Sequence, residues 1–104
     1  MQRHLRFARE AETQLRALES GSQKGLTKQV FRTLGLLELD TRDPSIYTHE
    51  FESITGVNGE RVWEAYSQNE APGSYRVFFH HGADEGMGRK RIPVLTIVSI
   101  TAHP

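Results

Sequence analysis

Two segments near the C-terminus, Ser74–His81 and Arg91–Pro104, constrain the fold more than any others. Tyr75, Val77 and Phe79 alternate with Arg76, Phe78 and His80, the period of two that gives a strand one core face. Ile92–Thr101 is apolar on both faces, which predicts a central strand covered on both sides. Pro93 fits such a strand only among its first residues or at an edge. The intervening Gly82–Lys90 predicts a glycine-rich hairpin loop. Its Gly86-Met87-Gly88 is not followed by the Gly-Lys-Ser/Thr of a phosphate-cradling loop.

The segments upstream supply what such a sheet packs against. Arg3–Phe7 predicts a short strand. Ala8–Glu19 reads as a helix, with Ala8, Ala11, Leu15 and Leu18 on one stripe, and Gly21 ends it. A second helix is expected from Leu26 to Leu37, its stripe formed by Leu26, Val30, Leu34 and Leu37. Lys24, Lys28 and Arg32 recur every four residues on a separate line, a basic ridge that serves either as a solvated face or as a contact for RNA phosphates. Asp40–Pro44 breaks the helical pattern, since Pro44 disfavours helical geometry at Asp43. Tyr47–Ile54 predicts a weak strand, Asn58-Gly59 a tight turn, Arg61–Gln68 a strand and Asn69–Gly73 a loop. The expected class is α+β in the order β-α-α-β-β-β: a helical hairpin packed on an antiparallel sheet, one domain spanning residues 1–104.

Composition narrows the function classes. The 104 residues contain no cysteine, which removes disulfide scaffolds, thiolate nucleophiles and thiolate metal sites. The first residues carry no apolar run of signal-peptide length, and no stretch approaches a membrane span. A cytoplasmic protein with no membrane partner is the expectation. Thirteen Lys/Arg balance thirteen Asp/Glu, so the whole chain has no net pull toward nucleic acid. The distribution is uneven: residues 1–39 hold seven Lys/Arg against four Asp/Glu, and residues 40–104 hold six against nine.

The chemistry-bearing residues are few. His80 and His81 are consecutive on a strand and point to opposite faces, so they cannot share one metal. No metal or other cofactor is expected. Arg76 shares a face with Phe78 and His80. It is either a sheet-surface cation paired with Glu64 across the ladder or a rigid guanidinium able to clamp phosphate oxygens. His103, just beyond the last strand, is either incidental or a proton donor and acceptor near neutrality. Trp63, Tyr66 and Tyr75 read as core or rim aromatics, and an exposed Tyr66 or Tyr75 could stack on a base.

A first strand, a helical hairpin and a meander whose strand reads Gly73-Ser74-Tyr75-Arg76-Val77-Phe78-Phe79 resembles the RelE/ParE superfamily of bacterial type II toxins. Ile54-Thr55-Gly56 is similar to that family's Leu-Lys-Gly segment, and Ile97–Pro104 to its closing strand. The resemblance spans essentially the whole chain. It implies a toxin partnered by a cognate antitoxin, acting either as a ribosome-associated, metal-independent mRNA endoribonuclease or, in the ParE manner, as an inhibitor of DNA gyrase. A non-toxic interaction domain on the same scaffold is the third reading. In the nuclease case the resemblance assigns the phosphate to Arg76, proton transfer to His103 and the general base to Glu52. Lys24, Lys28, Arg32 and Tyr75 are then the RNA-binding residues. Glu64 and Tyr66 stand where the more basic nucleases carry Lys or Arg.

Overall fold

Alternation along the C-terminal segments builds the sheet around which everything else is arranged. In the computed structural model, which describes residues 3–67, 73–87 and 90–102, the elements are β1 (His4–Phe7), α1 (Arg9–Ser20), α2 (Lys24–Leu39), a 3-10 turn (Pro44–Ile46), β2 (His49–Thr55), β3 (Arg61–Tyr66), β4 (Tyr75–Met87) and β5 (Lys90–Ala102). The five strands form one sheet in the order β1-β5-β4-β3-β2. The class is α+β, with both helices on one face.

Three expectations need correction. The sheet is mixed, because β1 lies parallel to β5, with Leu5 opposite Leu95 and Phe7 opposite Ile97. The helical hairpin between β1 and the later strands carries the chain back across the sheet, as a parallel pairing requires. There is also one strand more than β-α-α-β-β-β provides, since the weak segment after the turn is the edge strand β2, paired antiparallel with β3. Finally, much of Gly82–Lys90 continues the β4–β5 ladder, which runs out to Met87 opposite Lys90. Backbone pairing needs no apolar alternation, so this extension leaves no periodic trace in the sequence. Gln68 and residues 69–72 of the expected Asn69–Gly73 loop lie outside the described residues.

β5 lies inside the sheet, between β1 and β4, but the helices cover only one of its two apolar faces, so the expected cover on both sides is a further correction. Pro93 sits within its first turn of residues, where the β4–β5 register shifts between Gly82 and Glu85 and just before the β1 pairing begins at Val94. Its missing N–H therefore costs no ladder bond. The core fills the space between sheet and helices: Ala11, Val30, Leu34 and Leu37 meet Ala65, Val77, Phe79, Leu95, Ile97 and Ile100, with Ile46 closing one end. Gln14 on α1 accepts a hydrogen bond from the Ile100 backbone at 2.6 Å, tying the helix to β5. No helix among the described residues is long and apolar enough to cross a membrane.

Candidate functional site

Side chains that alternate away from the core emerge on the helix-free face of the sheet. Glu64 and Tyr66 on β3 stand there beside Arg76 and Phe78 on β4, with Tyr66 directly opposite Arg76 and Glu64 opposite Phe78. His49 on β2 pairs with Glu64. The Glu64 side chain is only 2% exposed, and a buried carboxylate must be compensated. Both its oxygens are: Arg76 Nη1 donates to Oε2 at 3.1 Å, and His49 Nε2 meets Oε1 at 2.6 Å. The Arg76–Glu64 pair is therefore a diagonal one, within reach of long side chains on neighbouring strands.

Aromatic rings fix the geometry further. The Arg76 guanidinium carbon lies 4.9 Å from the centroid of Phe78, a cation–π contact. Phe51 meets the other aspect of that ring edge-on, at 4.9 Å. The His49 ring stacks on Tyr66 at 5.7 Å, and its Nδ1 lies 3.0 Å from the Tyr47 carbonyl oxygen. One buried carboxylate thus orients an imidazole that is 45% exposed and a guanidinium that is 17% exposed. Arg76 Nε is buried without a partner among the described residues.

A second carboxylate flanks the cluster. Glu60 Oε1 accepts from the Asn58 backbone N–H at 2.8 Å, and its other oxygen lies 4.0 Å from His80 Nε2. Backbone N–H donors and the nearby His80 hold the Glu60 carboxyl below its ordinary range. His81 diverges from His80, as strand geometry requires, and meets Phe79 on the helix side of the sheet.

Of the residues expected to form one site, Arg76 alone belongs to this cluster. Glu52 is exposed on β2, next to Phe51, whose ring meets Phe78, and among the described residues it makes no ion pair with Arg76, which is held by Glu64. Tyr75 is half-buried and packs against the helix-side core. Lys24, Lys28 and Arg32 are exposed on α2, opposite the stripe Val30, Leu34 and Leu37 that α2 buries, so the ridge and Arg76 stand on opposite sides of the molecule. Arg32 reaches the Ser45 hydroxyl at 3.2 Å. His103 lies outside the described residues.

His49 escapes a reading by motif, yet a signal for it exists. Val62, Glu64 and Tyr66 share one face of β3, so the carboxylate sits between two apolar side chains and needs a donor from the neighbouring strand. Fold and cluster together define a two-helix, five-stranded α+β domain with a carboxylate-ordered His–Arg pair on its open sheet face. Comparison of the chain with protein-family models, curated proteins and solved structures finds no match.

Proposed function

We propose that this chain is a toxin of the RelE/ParE kind that cleaves RNA without a metal, and that the helix-free face is where it does so. The observation that carries this reading is the shared buried carboxylate of Glu64. Replacing a buried ion cluster by apolar side chains of similar volume is often neutral or stabilising. A cluster of this kind therefore gains its value by orienting charged groups, as catalytic sites do.

The chemistry assigned to it is transesterification. The RNA 2′-oxygen forms a bond to the adjacent phosphorus while the bond to the 5′-oxygen breaks, leaving a cyclic phosphate and a 5′-hydroxyl. Arg76 uses the donors not spent on Glu64 to neutralise the phosphorane oxygens. The Tyr47 carbonyl oxygen and Glu64 both accept from the His49 ring, so His49 serves as base once its Nδ1 proton has passed to water. The freed Nδ1 then takes the proton of the attacking 2′-hydroxyl while Glu64 holds Nε2–H. His103 is assigned the proton for the leaving 5′-oxygen, and Glu52 has no part in this scheme. A small antitoxin encoded beside the gene is the expected partner.

A second reading, a binding module of the ParE or non-toxic type, is favoured by the placement of the Lys24–Lys28–Arg32 ridge away from Arg76. Induced expression separates the two. The nuclease reading expects growth arrest with mRNA cut only when ribosomes are present, and relief of both by Arg76→Ala and by His49→Ala. Arrest with intact mRNA and a DNA-damage response overturns it in favour of a gyrase target, and absence of arrest in favour of an interaction domain.

A further inference from the structure

On the helix side of the sheet, away from the Glu64 cluster, the segment between α2 and β2 closes over the sheet and leaves a cleft of about 560 Å³. That volume is in the range of small-molecule sites. Its chemistry is two-sided. Tyr47, Trp63, Phe79 and Pro44 supply apolar and aromatic wall, and Arg3, Arg42 and His81 supply nitrogen.

Among the described residues, neither arginine of the wall is spent on an acid. Arg3 Nη1 donates to the Leu39 carbonyl at 3.2 Å, and neither Arg3 nor Arg42 has a carboxylate partner for its guanidinium among the described residues. Asp43, the one acid on the wall, is already engaged: its Oδ1 accepts from the Ser45 backbone N–H at 2.9 Å and from the Ser45 hydroxyl at 2.6 Å. Burial, with the charges of Arg3 and His80, pulls the His81 pKa down, so the ring meets the cleft uncharged at neutral pH.

Two further features mark the cleft as more than a surface furrow. Thr48 Oγ1 is buried on its wall without a hydrogen-bond partner among the described residues, and such an oxygen is costly unless something meets it. The adjacent Tyr47 holds a left-handed backbone at φ 49°, which disfavours non-glycine residues. Strain of that kind concentrates at ligand sites. It presents a half-exposed aromatic ring across from Trp63.

We infer that this cleft binds a nucleotide, with the base against Tyr47 and Trp63 and the phosphate on Arg3 and Arg42. Base stacking on aromatic rings and bidentate guanidinium–phosphate bonding are the two contacts its walls offer. The source is either a free mononucleotide or the phosphorylated 5′ end of an RNA strand, since both present the same chemistry. Trp63, Phe79 and His81 place the cleft on the sheet face opposite Glu64, and the two sites meet at Tyr47, whose carbonyl oxygen lies 3.0 Å from His49 Nδ1.

Trp63 is the only tryptophan in the chain, so its fluorescence reports on the cleft directly. The test titrates the full-length protein with AMP, adenosine, inorganic phosphate, and a short RNA with and without a 5′-phosphate. AMP is expected to quench Trp63 saturably, with half-saturation at about 1 mM or below. Adenosine and phosphate alone bind on the order of tenfold more weakly. Arg42→Glu, at an exposed position, is expected to weaken AMP by a similar factor with an unchanged melting temperature. Tight binding by the phosphorylated RNA assigns the site to RNA ends, and binding by AMP alone assigns it to free nucleotide. No saturable response to AMP, equal binding of AMP and adenosine, or undiminished AMP binding by Arg42→Glu overturns the inference.

Discussion

Glu64 offers the sharpest test of how the open face is held together. Replacing it by leucine leaves the guanidinium of Arg76, 3.1 Å from the vanished oxygen, without its counter-ion while still mostly buried. Removing one member of a buried pair costs about 3–5 kcal/mol, because the desolvated partner is left uncompensated. Both side chains are less than a third exposed, so the figure needs little discount for solvent screening. Against a total stability of about 5–15 kcal/mol this is a large loss. For a domain near 100 residues it lowers the melting temperature by more than about 10 °C.

Arg76→Met strands Glu64 in the converse way and is expected to cost a similar amount, softened by the contact Glu64 keeps with His49. The double variant Glu64→Leu with Arg76→Met removes both charges and keeps the volume. It should cost no more than either single change, so the coupling energy in a urea-denaturation cycle is at least the cost of one of them, about 3–5 kcal/mol. His49→Ala, at a half-exposed position, shifts the midpoint less. If the two single effects add to within about 0.5 kcal/mol, Glu64 and Arg76 do not act as a unit and the ordering argument fails. The double variant has a second use: folded and inactive, it would separate the role of the cluster in activity from its role in stability.

Two further outcomes follow from local geometry. Gly59 holds φ 81° with open space around its Cβ position, so Gly59→Ala meets no clash, only the left-handed penalty, and is expected to cost about 1–2 kcal/mol by chemical denaturation; an unchanged midpoint would refute it. His81 binds protons less readily in the fold than in the unfolded chain, because burial and the charges of Arg3 and His80 lower its pKa below 6.5. A base depressed in this way contributes fully above pH 6.5, and that contribution is lost as pH falls through the folded value. Melting temperature should therefore decline between about pH 7 and pH 5, and His81→Gln should flatten that slope; an identical slope in the variant counts against the assignment.

The parts of the fold that the sequence made legible are those where burial leaves a period. Val77 and Phe79 on one face of β4, and the doubly apolar run of β5, announced the sheet centre. The Ala/Leu stripe of Ala8, Ala11, Leu15 and Leu18 and the Leu/Val stripe of Leu26, Val30, Leu34 and Leu37 announced the two helices. Parallel pairing of β1 was not legible, since four residues, His4–Phe7, carry no directional signal. β2 was faint because its ladder is irregular between Glu50 and Thr55 and its outer half is exposed, so little alternation is enforced there. His49 lies in the regular part of that ladder, opposite Glu64, and was hidden for another reason. A motif search looks for spacing along the chain, whereas His49, Glu64 and Arg76 come from three different strands and are joined only by register.

The two faces of the sheet are closed by different means, and this bears on how Arg76 meets an anion. Two helices cover the inner face, and its core draws on α1, α2, β1, β3, β4, β5 and Ile46, with no residue from β2. The outer cluster is covered chiefly by β2 itself, through Phe51 over Phe78 and His49 over Glu64. β2 is an edge strand, hydrogen-bonded on one side only, and such elements open locally at less cost than the global unfolding free energy. Release of β2 exposes Glu64 and Arg76 while the helix-side core stays closed. On the nuclease reading, a phosphate approaching Arg76 competes with Glu64 for the guanidinium, and His49 shares the charge of that carboxylate. On that reading, His49 held in place leaves Arg76 more of its charge for the phosphate, so the edge strand contributes to the charge balance of the face as well as to its cover.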